Sequence, residues 1–340
     1  MKIAVDAMGG DYAPAAVIEG AVQALRDFSD IEELFLVGDE TQLRREIARH
    51  GTPDPRAIVV HASQVVLMED SAVEGIRRKK DSSISRAVDL VKEGKAQAVV
   101  SAGHTGAAVA ATTIKLRTLE GIERPGIATV LPTEHNFTVL IDAGANIDAK
   151  PIHLLQYAIM GSVYSHDMLG YEKPRIGLMS IGQEDVKGNE LTKETFKLLE
   201  RSNLNFAGNI EGHDVFEGKV EVIVCDGFIG NVVLKTSESL AKALFHWLKT
   251  ELKSNLLHMT GAALSNGAFK AIYHKTDPDE SGGAPLLGIN GVCIIGHGAS
   301  SPKAIRNAIR VARESICTHL TNHIVEQVRI NHERIRSQNG

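Results

Sequence analysis

Cysteine, aromatic residues and excess basic charge are all scarce in this 340-residue chain, and each shortage removes a class of protein. The three cysteines, Cys225, Cys293 and Cys317, stand far apart with no CxxC pair, which excludes a disulfide framework. With no secretory leader at the start, this usage predicts a reducing, cytoplasmic setting. Cys225 and Cys293 close apolar runs, where cysteine serves as a small buried hydrophobe rather than a catalytic thiol. Aromatic residues make up 4% and the formal charge is -5, so no clustered basic face is offered to nucleic acid. The one basic run, Arg77-Arg78-Lys79-Lys80, reads as a solvated helix end, with a landing site for an acidic protein as its alternative. No GxGxxG with an acidic residue about 20 positions on follows the first strand, which argues against a nicotinamide dehydrogenase.

What the chain holds in quantity is glycine, 31 residues, in sequence that is 43% apolar. That is enough to bury a full core, and we expect one large α/β catalytic unit over 1–340, in one lobe or two. The glycines gather where apolar strands end. Val99-Val100-Ser101-Ala102-Gly103-His104-Thr105-Gly106-Ala107 reads as strand, tight turn and helix start. Such a turn leaves backbone N–H groups unpaired at the positive end of a helix, a seat for phosphate or a polarised carbonyl. The pattern recurs at Val224-Cys225-Asp226-Gly227-Phe228-Ile229-Gly230-Asn231. Val139 to Asn146 and Val292 to Ala299 are two more strands that run into small, glycine-rich loops. Ligands of open parallel sheets bind outside the carboxyl ends of strands, so these four loops predict one shared site.

Taken in order, Ile3 to Asp6, Leu34 to Val37 and Ala57 to His61 are strands alternating with helices, a βαβαβ opening that demands a mainly parallel sheet. Asp39 caps the helix from Glu40, and Ser82 or Ser83 offers a cap to Ile84 to Glu93. Gly126 to Leu131 and Phe137 to Asp142 flank a polar turn and predict an antiparallel interruption. Pro151 opens a helix, Arg175 to Ile181 is a strand, and Glu190 begins a further helix. From Ile229 a long helix carries Leu240, Leu244, Trp247 and Leu248 at core spacing, with Trp247 in packing or a subunit contact. Nothing charged occurs between Lys253 and Lys270. Leu256 to Leu264 within it is too short to cross a bilayer, which takes about 20 apolar residues. A buried hairpin, a dimer contact and a membrane-resting tip remain open for it. A final helix from Pro302 turns Ile305, Ile309, Ala312, Ile316 and Leu320 inward.

Several strings are specific enough to carry a resemblance. Val-Asp-Ala-Met-Gly-Gly-Asp at 5–11, Ser-Ala-Gly-His-Thr-Gly-Ala at 101–107 and Glu-Gly-Ile-Glu-Arg-Pro at 120–125 resemble the bacterial phosphate acyltransferase family (PlsX type; phosphate:acyl-acyl-carrier-protein acyltransferase). So do Gly-Ala-Asn-Ile-Asp at 144–148, Gln-Tyr-Ala-Ile-Met-Gly-Ser-Val at 156–163, Lys-Gly-Asn-Glu at 187–190 and Cys-Asp-Gly-Phe-Ile-Gly-Asn at 225–231. His104 and Ile229 depart from the family, which usually has asparagine and threonine there. The resemblance implies a three-layer α/β/α fold with a mainly parallel sheet, related to isopropylmalate dehydrogenase and phosphotransacetylase. It implies a homodimer that moves a long acyl chain from acyl carrier protein to inorganic phosphate, with no cofactor. The acyl phosphate would feed a glycerol-3-phosphate acyltransferase at the inner face of the cell membrane. That tips residues 250–285 toward a protruding helical hairpin whose Leu256, Leu257, Ala262, Ala263 and Leu264 touch the membrane surface.

A thioester releases its thiol without strong acid, since thiols ionise near pKa 8.5, so neither a Ser-His-Asp triad nor a metal is demanded. The reaction needs a held phosphate, an aligned carbonyl and donors for the growing oxyanion. The resemblance ranks Lys187 and Asn231 first as catalytic residues, a point charge and an amide donor, against a solvated loop lysine and an ordinary cap. The expected phosphate and substrate contacts are Asp6, Gly9, Gly10, Ser101, Gly103, His104, Thr105, Gly106, Asp142, Asn146, Gly188, Asn189, Asp226, Gly227, Gly230, His297 and Gly298. Asp6, Asp142 and Asp226 either orient loops or accept the phosphate proton, and His104 and His297 either share that work or are hydrogen-bonded loop residues. The rivals are a phosphotransacetylase acting on acyl-coenzyme A and a non-catalytic membrane-associated sensor of acyl chains.

Overall fold

A computed structural model of the chain describes residues 1–51 and 53–337. The first half alternates β1 (Lys2–Asp6), α1 (Ala15–Asp27), β2 (Glu33–Gly38), α2 (Glu40–Arg49), β3 (Ala57–His61), α3 (Ala72–Arg78), α4 (Ser83–Lys92), β4 (Ala98–Ser101) and α5 (Thr105–Leu116). The antiparallel pair β5 (Gly126–Pro132) and β6 (Phe137–Ile141) follows, then α6 (Pro151–Leu169), β7 (Ile176–Met179), α7 (Glu190–Arg201), β8 (Phe206–Ile210) and β9 (Val222–Val224). The rest is α8 (Gly227–Leu252), α9 (Leu256–Leu264), α10 (Asn266–Thr276), α11 (Pro278–Ser281), β10 (Ala284–Leu287), β11 (Val292–Ile295), α12 (Pro302–Cys317) and α13 (Leu320–Ser337). All the strands form one sheet in the order β3-β2-β1-β4-β11-β10-β5-β6-β9-β7-β8.

Strand periodicity sorts the core into layers, because successive side chains leave opposite faces. Ile3 and Val5 pack with α1, α2 and α12, whereas Ala4 between them packs with α4 and α5. In the second half Val139, Ile141, Val222 and Val224 meet α6 and α13, and Leu140 and Ile223 face the opposite side, under the start of α8. Helices on both faces of a mixed sheet make the expected three-layer α/β/α fold. Cys225 and Cys293 are buried within it, and burial pushes both thiols above their usual range, Cys293 up to about 12.

The sheet is not parallel throughout, and this decides where its loops go. β1, β2, β3, β4 and β11 run one way. β10 is antiparallel to β11 and to β5, and β6 is antiparallel to β5, so β6, β9, β7 and β8 run the opposite way. The Ala284–Leu287 run, short and flanked by glycine, is the strand that sequence periodicity passes over.

Three other expectations change. Leu240, Leu244, Trp247 and Leu248 have core spacing but are exposed, Trp247 at 60%, because α8 leaves the sheet after its first turns. Neither α9 nor α10 contains a buried residue, which rules out the buried-hairpin reading of Leu256 to Leu264. The last helix is two: the chain breaks at Thr318 and at His319, which has φ of 52°, and Leu320 opens α13. No described helix is long and apolar enough to cross a membrane.

Candidate active site

Three neighbouring strands bring their loops to one rim: β1 with Asp6, Gly9 and Gly10, β4 with Ser101, Gly103 and His104, and β11 with His297 and Gly298. The buried Asp6 carboxyl accepts the Ser101 hydroxyl at 2.7 Å and the Met8 N–H at 3.4 Å. Ser101 Oγ accepts the Gly103 N–H at 3.2 Å, so carboxyl, hydroxyl and turn form one piece. The backbone of Gly9 lies on that of Gly103; a Cβ on Gly9 would stand 2.6 Å from Asp6 Oδ2 and 2.8 Å from Gly103 N. Only glycine permits that approach. The β11 loop is tied in by the Asp11 N–H, which donates to Gly298 O, and by the Gly296 N–H, which donates to Ser101 O, each at 2.8 Å.

Behind the rim lies a cavity of about 10 Å³, close to the room of one water, lined by Asp6, Gly9, Ser83, Ser101 and His104 among others. Ser83, at the start of α4, hydrogen-bonds Asp6 and was not among the expected site residues; only its place beside Ser82 as a helix cap marked it. Burial pushes the Asp6 carboxyl above its usual range, against the pull of Ser83, Ser101 and the Met8 and Gly9 amides.

The α5 start supplies anion donors, though fewer than the turn sequence implies. His104 is itself the cap, with Nδ1 accepting the Ala107 N–H at 3.2 Å. Among the described residues no protein acceptor takes the N–H groups of Thr105 and Gly106, and both point along the helix axis toward the rim. His297 is exposed, and its Nδ1 accepts the Ala299 N–H at 3.1 Å.

The other expected residues lie at the carboxyl ends of β6, β9 and β7. Asp142 is buried, and its oxygens accept the N–H groups of Ile127 (2.9 Å), Gly144 (3.0 Å), Ala145 (2.9 Å) and Asn146 (2.7 Å). Burial outweighs those bonds and raises its pKa. Both oxygens are engaged in organising the loop, one of the two roles expected of this residue. Asn146 is spent similarly, its carbonyl accepting the Gly227 N–H at 2.9 Å and its amide donating to the Tyr157 hydroxyl at 3.0 Å. Asp226 caps α8 through the Ile229 N–H at 2.9 Å, so the seat expected at Gly227 to Gly230 already holds the chain's own carboxylate. A Cβ on Gly230 would fall 1.9 Å from Asp142 O, which shows how tightly α8 is pressed onto the β6 loop.

Two groups there stay free. Asn231 is exposed in the first turn of α8 beside Gly144, with no side-chain partner among the described residues. Lys187 is exposed in the loop after β7; its backbone N–H donates to Glu184 O at 3.0 Å, and its ammonium has no carboxylate partner among the described residues. Gly188 follows at φ 98°, and Asn189 caps α7 through the Thr192 N–H at 2.9 Å.

The strands that lead into the β4 and β11 loops run opposite to those that lead into the β6 and β9 loops, although Ala143, Ala145 and Leu234 beside the latter pack into the same core as Ala107 and Ala108 of α5. β4 and β7 are separated by six strand spacings, roughly 29 Å along the sheet, and their carboxyl ends leave opposite edges. Direction was the missing information: periodicity finds a strand but does not say which way it points. Among the described residues His213, Asp214 and Glu217 are placed to ligate a metal, but Lys219 pairs with Asp214 and, at 2.8 Å, with Glu217, and so fills that position with its own ammonium.

Comparison with known proteins bears on this arrangement. The family described as Fatty acid synthesis protein matches residues 1–323. A phosphate acyltransferase of Geobacter sulfurreducens is 51% identical over 96% of this chain and 94% of its own length. One from Akkermansia muciniphila is 52% identical over 93% and 92%. Among solved structures, a phosphotransacetylase from Streptococcus pyogenes has the same fold, with TM-score 0.61 and 18% identity over 93% of this chain and 94% of that one.

Proposed function

Because the chain belongs to the fatty acid synthesis protein family and is an acyltransferase, we propose that it moves a long-chain fatty acyl group from acyl carrier protein to inorganic phosphate, forming acyl phosphate for phospholipid biosynthesis. The observation that carries this reading is the rim of β1, β4 and β11. Two helix N–H groups stand open there beside a buried, hydroxyl-clamped carboxyl, and this suits an oxyanion that also carries a proton. Phosphate held by Thr105 and Gly106 attacks the thioester carbon. A carbon–oxygen bond forms, the carbon–sulfur bond breaks, and the proton left on the phosphoryl group passes to the departing thiolate. Lys187 and Asn231 supply the charge and the amide donor for the oxyanion.

The enzyme acts as a homodimer in the cytoplasm, at the inner face of the membrane, and passes its product to a glycerol-3-phosphate acyltransferase. The exposed apolar side of α8 supports the dimer. Exposed Leu256, Leu257 and Leu264 on α9, with Ala262 and Ala263, support contact with lipid by the 250–285 hairpin. The sensor reading falls, since the chain is an enzyme. Phosphotransacetylase action on acyl-coenzyme A is the second reading, and one assay separates the two. Purified protein is incubated with labelled phosphate and either palmitoyl-acyl carrier protein or palmitoyl-coenzyme A. Hydroxylamine-sensitive acyl phosphate from the carrier-protein arm is the expected result. Product from the coenzyme A arm alone overturns the carrier-protein reading.

A further inference from the structure

We propose that His153 is a positioning residue for the reaction: held by Glu123, it fixes the 142–146 loop that sets Asn231 against the α5 anion seat. This rests on the role of Asn231 in the functional reading given above. His153 was not among the expected site residues, and it touches none of the reacting groups.

The 142–146 loop joins the two parts. Ala143 and Ala145 pack in the same core as Ala107 and Ala108 of α5, whose first turn carries the open N–H groups. Asn146 O accepts the Gly227 N–H at the start of α8 at 2.9 Å. Gly144 lies against Asn231, so closely that a Cβ on it would stand 3.5 Å from Asn231 Cβ. A loop that shifts therefore moves Asn231 relative to the seat, and a misplacement of about 1 Å costs on the order of 100-fold in rate.

One face of α6 holds this loop. His153, Gln156 and Tyr157 stand three and four residues apart, so they share that face, and all are buried. Gln156 clamps the segment before β5: its Nε2 donates to Gly121 O at 2.8 Å, and its Oε1 accepts the Glu123 N–H at 2.9 Å. His153 Nδ1 accepts the Lys150 N–H at 3.1 Å. A ring nitrogen that accepts a backbone N–H carries no proton, so the imidazole proton sits on Nε2 and is donated to Glu123 Oε2 at 3.1 Å. Asn146 must then turn its Nδ2 toward Nδ1, at 3.3 Å, as a second donor. Its other amide hydrogen goes to the Tyr157 hydroxyl at 3.0 Å, which gives its own proton to Pro125 O at 3.4 Å. The network thus admits a single orientation of Asn146. A helix cap needs only Nδ1 and the Lys150 N–H; the Glu123 carboxylate and the Asn146 amide go beyond that duty.

A double-mutant cycle on the full-length enzyme tests this. His153→Leu fills much of the same space without either ring nitrogen. It should lower kcat about 10-fold with KM for carrier-protein thioester and for phosphate changed less than about 2-fold. His153→Asn, whose Oδ1 stands in for Nδ1, should bring kcat back to within about 3-fold of wild type. In an Asn231→Ala background the loss from His153→Leu should shrink below about 2-fold, because a residue that acts through Asn231 has nothing left to place. Where His153→Leu does not fold, Glu123→Ala and Glu123→Gln replace it, since the Glu123 side chain is 56% exposed. Of these, Ala should lose kcat about 5-fold and Gln, which keeps an acceptor, should retain it. A folded His153→Leu or Glu123→Ala enzyme with wild-type kcat overturns the proposal. So does an equal loss in both backgrounds, which reduces His153 to a support for α6. Wild-type kcat in Asn231→Ala alone overturns the reading of Asn231, and the proposal with it.

Discussion

At the scale of single residues, the distinction that matters is whether a polar group is already satisfied. Asp142, Asn146, Asp226 and Asn189 carry motif positions, yet each already holds a backbone N–H or, for Asn146, the buried Tyr157 hydroxyl. Lys187 does not, and an unpaired ammonium on an exposed loop costs nothing to keep until an anion arrives. We expect Lys187→Ala to lower acyl phosphate formation about 100-fold or more, near 2.7 kcal/mol of transition-state stabilisation, with its melting temperature unchanged. Asp6 gives a different signal. Its folded-state pKa is raised, mainly by burial, so the neutral form stabilises the fold at low pH and that contribution is lost as pH rises from the ordinary carboxylate value through the raised one. Asp6→Asn stays neutral throughout. The difference in melting temperature, variant minus wild type, should therefore grow more positive between pH 4 and pH 8; a difference that stays flat or falls contradicts the buried acid. Ser83, the other hydroxyl on Asp6, escaped sequence reasoning because a serine at a helix start looks like any cap.

Among the elements, the hairpin departs furthest from the rest of the chain. α9 has nothing buried, exposes Leu256 at 81%, Leu257 at 79% and Leu264 at 85%, and contains no aspartate, glutamate, lysine or arginine to keep it in water. Each methylene that leaves water for lipid contributes about 0.8 kcal/mol, so two or three leucines suffice for reversible surface binding. Leu257→Asp with Ala263→Asp should weaken co-sedimentation with anionic phospholipid vesicles at least 10-fold while turnover of carrier-protein thioester in solution persists. Unchanged sedimentation would assign the tip to a protein contact. The apolar sequence marked this segment plainly; what it could not say was that no part of the sheet covers it. The glycine turns were legible for a similar reason. Close backbone approach leaves glycine as the sole option, but a capping carboxylate and an open anion seat share the same pattern.

For the molecule as a whole, the reversal of strand direction through β10 and β6 sends the motif loops of the two halves off opposite strand ends, and α8 leads from the β9 loop to an uncovered apolar side. Trp247→Glu places a charge on that side. It should weaken the proposed dimer by roughly two orders of magnitude, about 2.7 kcal/mol, giving a folded monomer by light scattering. An active dimer in that variant would move the contact elsewhere. The sequence by itself determined the α/β class, most strands and helices, the family and the glycine-rich loops at strand ends, because periodicity, helix caps and glycine turns are local and fall within a few residues of one another. The tertiary structure alone decided which of those loops meet, which carboxylates are already satisfied and which core-spaced leucines stay exposed. Strand direction, burial and cover depend on segments hundreds of residues apart, and nothing in a local pattern records them.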